Sequence, residues 1–389
     1  MTMDSTKSEI GSSEGGHFLF DDWFDPLETG VRTRIRVFIE ELLEAELDAA
    51  LGRDRYERPR MGGGNSPMGA VGSRHGHRER GLMGTVGAVT IRVPRARLTT
   101  AEGKTAEWRN ATIPAYQRRT KRADALIAGA YLSGTNTRRV RRALAALFGG
   151  AVGKDTVSRV WRKTKGDWDT WNARSLTDEP IIRLILDGTV VRVRLDKKAT
   201  SISLLVALGV RSDGQKVLLA IKNMGGESEA AWRALLDNLV ARGLKTPELV
   251  IVDGSSGLDK ALAALWSDVP VQRCTVHKHR NLLAHAPDRK WRLKCHAVAD
   301  SLEEAGDRLF TFARFPESQW KSIRTTNAIE RLHEEFKRRI KKQTVLPSAE
   351  TAAMLFWALL ASGQIVMRKV DGWPSLSQKP SDQTIDLAA

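Results

Sequence analysis

The chain has 389 residues and carries 62 Lys and Arg against 46 Asp and Glu, a formal net charge of +16 at pH 7. This length allows two or three domains, and the charge favours a polyphosphate partner over a membrane. Its two cysteines exclude a disulfide-rich scaffold and indicate a reducing compartment. The N-terminus lacks a signal-peptide pattern, and the most apolar stretch, 352–367, is shorter than the roughly 20 residues that span a bilayer. We expect a cytoplasmic protein with no membrane partner.

The N-terminal third begins with residues 1–29, which are polar and rich in Gly and Ser and are predicted to be disordered. Apolar residues then recur at about 3.6-residue spacing over 31–51, which predicts a helix. A loop rich in Gly and Arg follows over 53–84, and a strand is predicted over 86–93. Residues 30–115 are therefore expected to form a small region of helix and strand.

Residues 116–178 contain three predicted helices, 122–133, 137–148 and 154–171, separated by turns that contain glycine. This pattern predicts a helix-turn-helix-type DNA-binding region, with the third helix as the candidate reader of base edges. Basic side chains are concentrated here and are predicted to contact phosphates. These candidate DNA-binding residues are Arg118, Arg119, Arg122, Arg138, Arg139, Arg141, Arg142, Lys154, Arg159 and Arg162.

The pattern becomes β-rich near residue 179. The predicted elements are strands over 181–194, 201–210 and 216–224, a helix over 228–244, a strand over 249–253, a helix over 257–266 and a strand over 271–276. The order β-β-β-α-β-α-β-α is that of an RNase H-like domain, predicted over 179–345. Helical sequence over about 278–322 is an insertion in this domain. A C-terminal helix over 346–372 and a disordered tail over 373–389 complete the prediction.

Three carboxylates are the candidate catalytic residues. Asp187 closes the apolar run 181–186 of the first strand and Asp253 closes the apolar run 249–252 of the fourth, and these two strands lie side by side in the predicted sheet. Glu330 lies in a predicted helix. Mg²⁺ takes such oxygen ligands, and two divalent ions can activate a nucleophile and stabilise a leaving oxygen. An Asp-Gly pair can also simply form a turn, but two of them with a helical Glu favour a metal site.

Other acidic residues are candidates for the third metal-binding carboxylate. Glu334 lies four residues after Glu330 and would share its helix face if the helix were rotated, and Glu335 is its neighbour. Glu227 and Glu229 precede or begin a predicted helix, and we interpret them as partners of the helix dipole.

Cys274 and His277 form a C-x-x-H motif beside the predicted carboxylate edge. Zinc would need four ligands, which Cys295-His296 could complete, but a structural or supporting role is favoured. Arg324 and Asn327 could reach a phosphate or a carboxylate. The helix beyond Glu330 carries further basic residues, and Arg331, Arg338 and Arg339 are added to the candidate DNA contacts.

These motifs resemble the IS256 family of bacterial transposases, which is related to the Mutator-like elements. The matching segments are Leu186-Asp187-Gly188, Val252-Asp253-Gly254, Cys274-Thr275-Val276-His277 and Arg324-Thr325-Thr326-Asn327-Ala328-Ile329-Glu330-Arg331. The similarity extends over about residues 30–370. It implies an α/β protein with an RNase H-like catalytic domain and a helical insertion, preceded by a mainly helical DNA-binding N-terminal region.

The resemblance also implies a DDE transposase in which Asp187, Asp253 and Glu330 bind two Mg²⁺ or Mn²⁺ ions. Such an enzyme binds terminal inverted repeats, cleaves the element ends and joins 3′-OH ends to target DNA. Its expected partners are double-stranded DNA and further copies of itself in a synaptic complex, in a bacterial cytoplasm at the nucleoid.

One departure from the family concerns the insertion. Glu330 follows His277 by only 53 residues, whereas the family carries a longer helical segment there, so we hypothesise an internal deletion. If the deletion abolishes catalysis, the protein is an impaired transposase that acts only as a sequence-specific DNA-binding protein or repressor. A further alternative is a nuclease that cleaves DNA without joining strands.

Overall fold

A computed structural model describes residues 26–53, 71–99, 104–133, 137–148, 152–285, 296–341 and 345–380. The chain divides into two compact units. One comprises residues up to 128 together with 137–157, and the other comprises 129–136 and 158 onwards. Within these ranges, no helix is long and apolar enough to cross a membrane.

The N-terminal unit contains a long helix and a three-stranded antiparallel sheet. The elements are α1 (Pro26–Leu51), β1 (Val71–Gly84), β2 (Gly87–Thr99) and β3 (Thr105–Glu107), with strand order β1-β2-β3. Helix α1 buries Leu43 and Leu47, four residues apart on one face. Leu43 packs with Ile91 and Val93 of β2, and Leu47 packs with Ala96. This packing holds α1 on the sheet.

Two predictions for this unit are wrong. Residues 71–84, predicted as loop, form β1, which pairs with β2 along most of its length. Its Gly- and Arg-rich sequence has little strand propensity of its own, so the pairing stabilises the strand. The disorder predicted over 1–29 does not extend to residues 26–29, because α1 begins at Pro26, a favoured residue at the first helical position. Residues 1–25 lie outside the described ranges.

Four helices follow: α2 (Lys121–Leu132), α3 (Thr137–Ala143), α4 (Ala145–Phe148) and α5 (Lys154–Ala173). The helix predicted over 137–148 is divided into two short helices. The N-terminal part of the chain, predicted to be mainly helical, therefore combines helices with a sheet.

The second unit is built on a mixed five-stranded sheet. Its elements are β4 (Ile181–Leu195), β5 (Lys198–Arg211), β6 (Lys216–Met224), α6 (Glu229–Ala241), β7 (Leu249–Val252), α7 (Ser256–Leu265) and β8 (Val271–Arg273). The strand order is β6-β5-β4-β7-β8. Strands β4, β5 and β6 are antiparallel neighbours, whereas β7 runs parallel to β4 and β8 parallel to β7. The predicted mixed α/β class is confirmed.

Helical segments complete this unit. They are α8 (Thr275–His285), α9 (His296–Ala305), two 3-10 turns (Gly306–Leu309 and Thr311–Arg314), α10 (Glu317–Ile323), α11 (Asn327–Ile340) and α12 (Ala349–Ala361). The helix predicted over 346–372 ends early because Gly363 adopts a left-handed φ of 72° just after the last turn. Residues 286–295, inside the predicted insertion, lie outside the described ranges.

Both faces of the sheet are buried, and strand alternation decides which residue faces which layer. Leu184 and Leu186 belong to the cluster that includes Trp232 of α6. Ile185 belongs to the opposite cluster, which includes Phe336 of α11. Asp187 follows Ile185 by two residues and therefore faces the layer that contains α11. Covering on both faces explains why β4 reads as a nearly continuous apolar run.

The tail predicted to be disordered over 373–389 is ordered as far as residue 380. A 3-10 turn covers Trp373–Ser375. The Ser375 carbonyl accepts a hydrogen bond from the Gln319 side chain, and Leu376 is buried in the core. These contacts offset the conformational entropy that a polar segment loses when it is ordered. Composition alone does not reveal such contacts. Residues 381–389 lie outside the described ranges.

Candidate active site

Asp187 and Asp253 lie side by side on neighbouring strands, but the strand-end position predicted for Asp187 is wrong, because β4 continues beyond it to Leu195 in its pairing with β5. In the parallel pairing of β4 with β7, Leu186 is opposite Val252, so the next residue along each chain segment is an aspartate, and Asp253 directly follows β7. Asp187 is 7% exposed, and its Oδ1 accepts a hydrogen bond from the Gly188 amide at 2.9 Å. Burial raises the pKa of Asp253, and the negative charge of Asp187 raises it further. The sheet therefore holds a buried and a partly buried carboxylate on neighbouring strands.

Glu330 lies in the first turn of α11 and contacts α8. Its Oε1 accepts a hydrogen bond from Thr326 Oγ1 at 2.8 Å and lies 3.6 Å from His277 Nδ1. Its Oε2 lies 3.5 Å from Arg280 Nη1. The competing residues are placed elsewhere, since Glu334 is exposed and Glu335 pairs with Arg338. Glu330 is thus the helical carboxylate that faces the interior of this site.

His333 joins α11 to β4. Its Nδ1 lies 3.2 Å from Asp187 Oδ2, and the residue is only 5% exposed. His333 is three residues after Glu330 and therefore on the same side of the helix. The helix that carries Glu330 is thereby docked against the strand that carries Asp187. Sequence reasoning missed His333, although its place among the apolar residues Ile329, Leu332 and Phe336 of an amphipathic helix was a usable signal.

Cys274 and His277 connect β8, α8 and the start of α11. Cys274 is fully buried and its Sγ accepts a hydrogen bond from the Thr326 amide at 3.4 Å. The hydrogen bond between His277 and Cys274 outweighs burial and, with the negative charges of Cys274, Glu330 and Asp187, raises the pKa of His277 to about 9. Burial opposes ionisation of Cys274, but hydrogen bonds with His277 and Thr326 lower the pKa of its thiol.

This network places a cationic His277 beside Glu330. In the described part of the chain, ligand atoms of three residues, Cys274, His277 and Glu330, lie within 4.8 Å of one another. A structural zinc site requires four ligands, so this group is one ligand short. The side chains of Cys295 and His296, the alternative further ligands, lie outside the described residues.

Glu227 lies just before the N-cap of α6, and its carboxylate packs against Gly188 of β4. A Cβ atom added to Gly188, the residue after Asp187, would overlap the Glu227 carboxylate. Burial raises the pKa of Glu227, and the charges of Asp253 and Asp187 raise it further. No sequence periodicity indicates this position, because Glu227 precedes α6 and reaches Gly188 only through packing of the β6–α6 connection. The exposed Glu229 remains in the first turn of α6.

Arg324 and Asn327 lie at the start of α11 and are exposed. The Arg324 carbonyl accepts hydrogen bonds from the amide and hydroxyl of Thr275, at 3.0 and 3.1 Å. The backbone of this segment is thus fixed to α8, while both residues are exposed.

Most of the candidate DNA-binding residues are exposed. They are Arg118, Arg122, Arg139, Arg141, Arg142, Lys154, Arg159, Arg162, Arg331 and Arg338. The exposed Arg338 also pairs with Glu335 at 2.7 Å. Arg119 is partly buried and pairs with the buried Asp124 at 2.6 Å, and the partly buried Arg339 donates to the Gln364 carbonyl at 3.0 Å, which counts against a phosphate contact for these two. The Arg138 side chain lies outside the described residues.

The sequence of the chain matches the model of a protein family described as "Transposase, Mutator family" over residues 24–295 and 288–365. It is similar to the "Transposase for insertion sequence element ISRM5" of Rhizobium meliloti (strain 1021), with 31% identity covering 85% of this chain and 86% of the relative. The transposase for insertion sequence element IS905 of Lactococcus lactis is 30% identical, covering 82% and 85%.

The transposase for IS256 in transposon Tn4001 of Staphylococcus aureus is 27% identical over 79% of this chain and 83% of the relative. The family match covers most of the chain, and these alignments span most of each relative. The chain therefore belongs to the Mutator family of transposases, as its IS256-like motifs predicted.

Proposed function

We propose that this chain catalyses transposition of an insertion sequence. It binds double-stranded DNA at terminal inverted repeats, cleaves strands at the element ends and joins the 3′-OH ends to target DNA. The observation that carries this proposal is the contact of His333 with Asp187, because it brings the helix of Glu330 against the strand edge where Asp187 and Asp253 meet.

The catalytic domain is proposed to be RNase H-like. Three antiparallel strands followed by two parallel ones, in the order β6-β5-β4-β7-β8, support this assignment. So does the placement of helices on both faces of the sheet. In such a sheet the two aspartates lie at one edge, which is where a phosphodiester group would have to enter.

The donor set fits hard divalent cations. Burial and the negative charge of Asp187 raise the pKa of Asp253, which supports an accumulation of negative charge here, and oxygen ligands suit Mg²⁺ or Mn²⁺. Asp187, Asp253 and Glu330 would hold two such ions, which supply activation of a water or 3′-OH nucleophile and stabilisation of the leaving oxygen when bound.

The protein's own contributions to the reaction follow from the contacts. His333 orients the Asp187 carboxylate, and His277 with Arg280 orients that of Glu330. Arg324 and Asn327 precede Glu330 by six and three residues and are exposed, which supports a role in contacting the phosphates flanking the scissile bond. A DDE mechanism in a homo-oligomeric synaptic complex at the bacterial nucleoid is part of the same proposal.

DNA binding is assigned to the exposed arginines and lysines of residues 118–162 and to Arg331. The net charge of +16 supports a strong electrostatic contribution to this binding. A helix-turn-helix role for α2 to α5 is proposed from the concentration of basic residues in this part of the sequence and from the succession of helices there.

A catalytically impaired transposase is the second candidate. The family match falls into two stretches that meet at residues 288–295, inside the segment where the sequence predicts a shortened insertion. A protein with this defect would bind inverted repeats and repress a related element without cutting it.

A strand-cleavage and strand-transfer assay distinguishes these functions. The substrate is a duplex containing the inverted repeats found on either side of the gene, incubated with the full-length protein and Mg²⁺. Cleavage and joining that are lost in Asp187→Asn support the transposase. Cleavage without joining supports a nuclease, and binding without cleavage supports the impaired enzyme. Cleavage that Asp187→Asn leaves unchanged would refute the carboxylate assignment.

A further inference from the structure

We propose that helix α1 joins two copies of this chain through an antiparallel coiled-coil contact. The contact uses an apolar seam on the side of α1 that does not face the sheet. This inference rests on the homo-oligomeric part of the proposed function, for which it names an interface. It concerns neither the carboxylates nor the candidate DNA contacts.

Helix α1 is apolar on two sides, but only one of them is buried. Leu43 and Leu47 bury the first side on the sheet of the N-terminal unit. The second side carries the α1 seam, which consists of Val31, Ile35, Phe38 and Leu42. Phe38 is 60% exposed and Leu42 is 42% exposed. Single apolar residues are common on protein surfaces, whereas an aligned set of them marks a contact with another protein.

The spacing along the α1 seam is that of a helix paired with another helix. Its four residues follow one another at intervals of 4, 3 and 4, which is the heptad pattern of a coiled coil. A helix that packs only on a sheet needs one apolar stripe, so the second stripe indicates a partner helix. The seam is shorter than the three or four heptads that define a free-standing coiled coil. The contact therefore depends on α1 being held on its own sheet.

The charges of α1 make the helix complementary to a second copy of itself. Residues 32–36 include three arginines and no acidic residue, whereas residues 40–48 include five acidic residues and no basic one. This order is the reverse of the one that the helix dipole favours, so it does not stabilise α1 by itself. Antiparallel pairing sets the basic half of each helix against the acidic half of the other. Parallel pairing would set like charges side by side.

Arg34 and Glu41 flank the α1 seam on one edge, since they are seven residues apart. Both are exposed, and neither pairs with a side chain within the described ranges. When Ile35 lies against the partner's Phe38, Arg34 lies near the partner's Glu41. A two-fold axis repeats this pair at the other end of the contact. These two ion pairs specify the antiparallel orientation, while the apolar seam supplies the affinity.

The first test measures self-association of the full-length protein by sedimentation velocity over a concentration series, without DNA or metal. We expect a monomer–dimer equilibrium. Phe38→Glu should raise the dimer dissociation constant about 10-fold or more, because it removes a central aromatic residue from both copies. Val366→Glu is the matched control, since Val366 is 79% exposed and lies outside α1, and it should leave the dissociation constant unchanged. Both variants should keep the wild-type melting temperature of the monomer, because both side chains are exposed.

Charge reversal tests the antiparallel orientation itself. Arg34→Glu and Glu41→Arg should each weaken the dimer, because each substitution sets like charges together at both ends of the contact. Combining the two substitutions in one chain re-forms both ion pairs with the signs exchanged. The combined variant should therefore recover the affinity of the wild-type dimer.

The outcomes separate this inference from the proposed function. A monomeric wild-type protein would overturn it and leave the α1 seam to another segment of the same chain, such as residues 1–25. A dimer that keeps its affinity in Phe38→Glu, or that the combined charge reversal does not restore, would also overturn it, because the copies then join through another surface or in another orientation. A protein that forms the dimer with all the expected responses but does not cleave inverted-repeat DNA would support the α1 interface and count against the catalytic proposal alone.

Discussion

The contact of His333 with Asp187 leads to a prediction about how the active site is kept in register. His333→Leu keeps a side chain of similar size against Phe356, whose ring centroid lies 5.9 Å from that of His333, but removes the donor to Asp187. His333→Asn places an amide nitrogen the same number of bonds from the backbone as Nδ1, and so retains the donor. His333→Gln carries the same amide one bond farther out, nearer the position of Nε2.

The magnitude follows from the kind of bond that is lost. His333 Nδ1 and Asp187 Oδ2 lie at ion-pair distance, 3.2 Å, and a buried polar contact to a charged group contributes about 1.5–3 kcal/mol, so His333→Leu should lower the free energy of unfolding by roughly that amount. A carboxylate that loses its orienting partner at a metal site typically costs 10–100-fold in activity or metal affinity. His333 Nε2 is buried and has no hydrogen-bond partner in the described ranges, so its loss in His333→Asn should cost little.

The assay compares the three variants by Mg²⁺-dependent strand cleavage at saturating DNA, by Mn²⁺ affinity and by urea unfolding. We expect His333→Asn to retain most of the cleavage activity, and His333→Leu and His333→Gln to lose about 10–100-fold. Equal activity in the Asn and Gln variants would show that the Nδ1 contact does not matter. Wild-type cleavage by His333→Leu would refute the positioning role altogether.

Two further predictions concern charge. Arg141→Ala should reduce the slope of log affinity for inverted-repeat DNA against log salt concentration by about 1. The control Arg339→Ala loses an internal bond, so it should lower the melting temperature and leave that slope unchanged. Equal slopes for Arg141→Ala and wild type would contradict the phosphate contact. Asp253 has a raised pKa in the folded protein, so its carboxyl favours folding below its ordinary pKa and this contribution is lost as the pH rises through the folded value. Metal-free Asp253→Asn should therefore have a higher melting temperature than wild type at neutral pH, and this difference should vanish at low pH. Thermal unfolding between pH 3 and pH 8 measures it, and a difference in melting temperature that does not change with pH would contradict the prediction.

The main elements of the second unit could be read from the sequence because each depends on local periodicity. The apolar runs that end at Asp187 and Asp253 are strands because both faces of the sheet are covered, so nearly every side chain is apolar. Glu330 was placed on a helix because Ile329, Leu332 and Phe336 recur at helical spacing. Strand β1 and the ordered part of the tail were not predicted, because pairing and packing stabilise them rather than their own composition.

The sequence by itself determined the candidates for the chemistry of this transposase. The two aspartates that close apolar runs, the helical glutamate and the motifs around them are all local patterns. Only the tertiary structure decided what surrounds them, since Glu227 reaches Gly188 and His333 reaches Asp187 across long stretches of chain. Such contacts depend on how the β6–α6 connection and α11 pack against β4. A residue's neighbours along the chain do not specify that packing, so these two side chains emerged only from the folded protein.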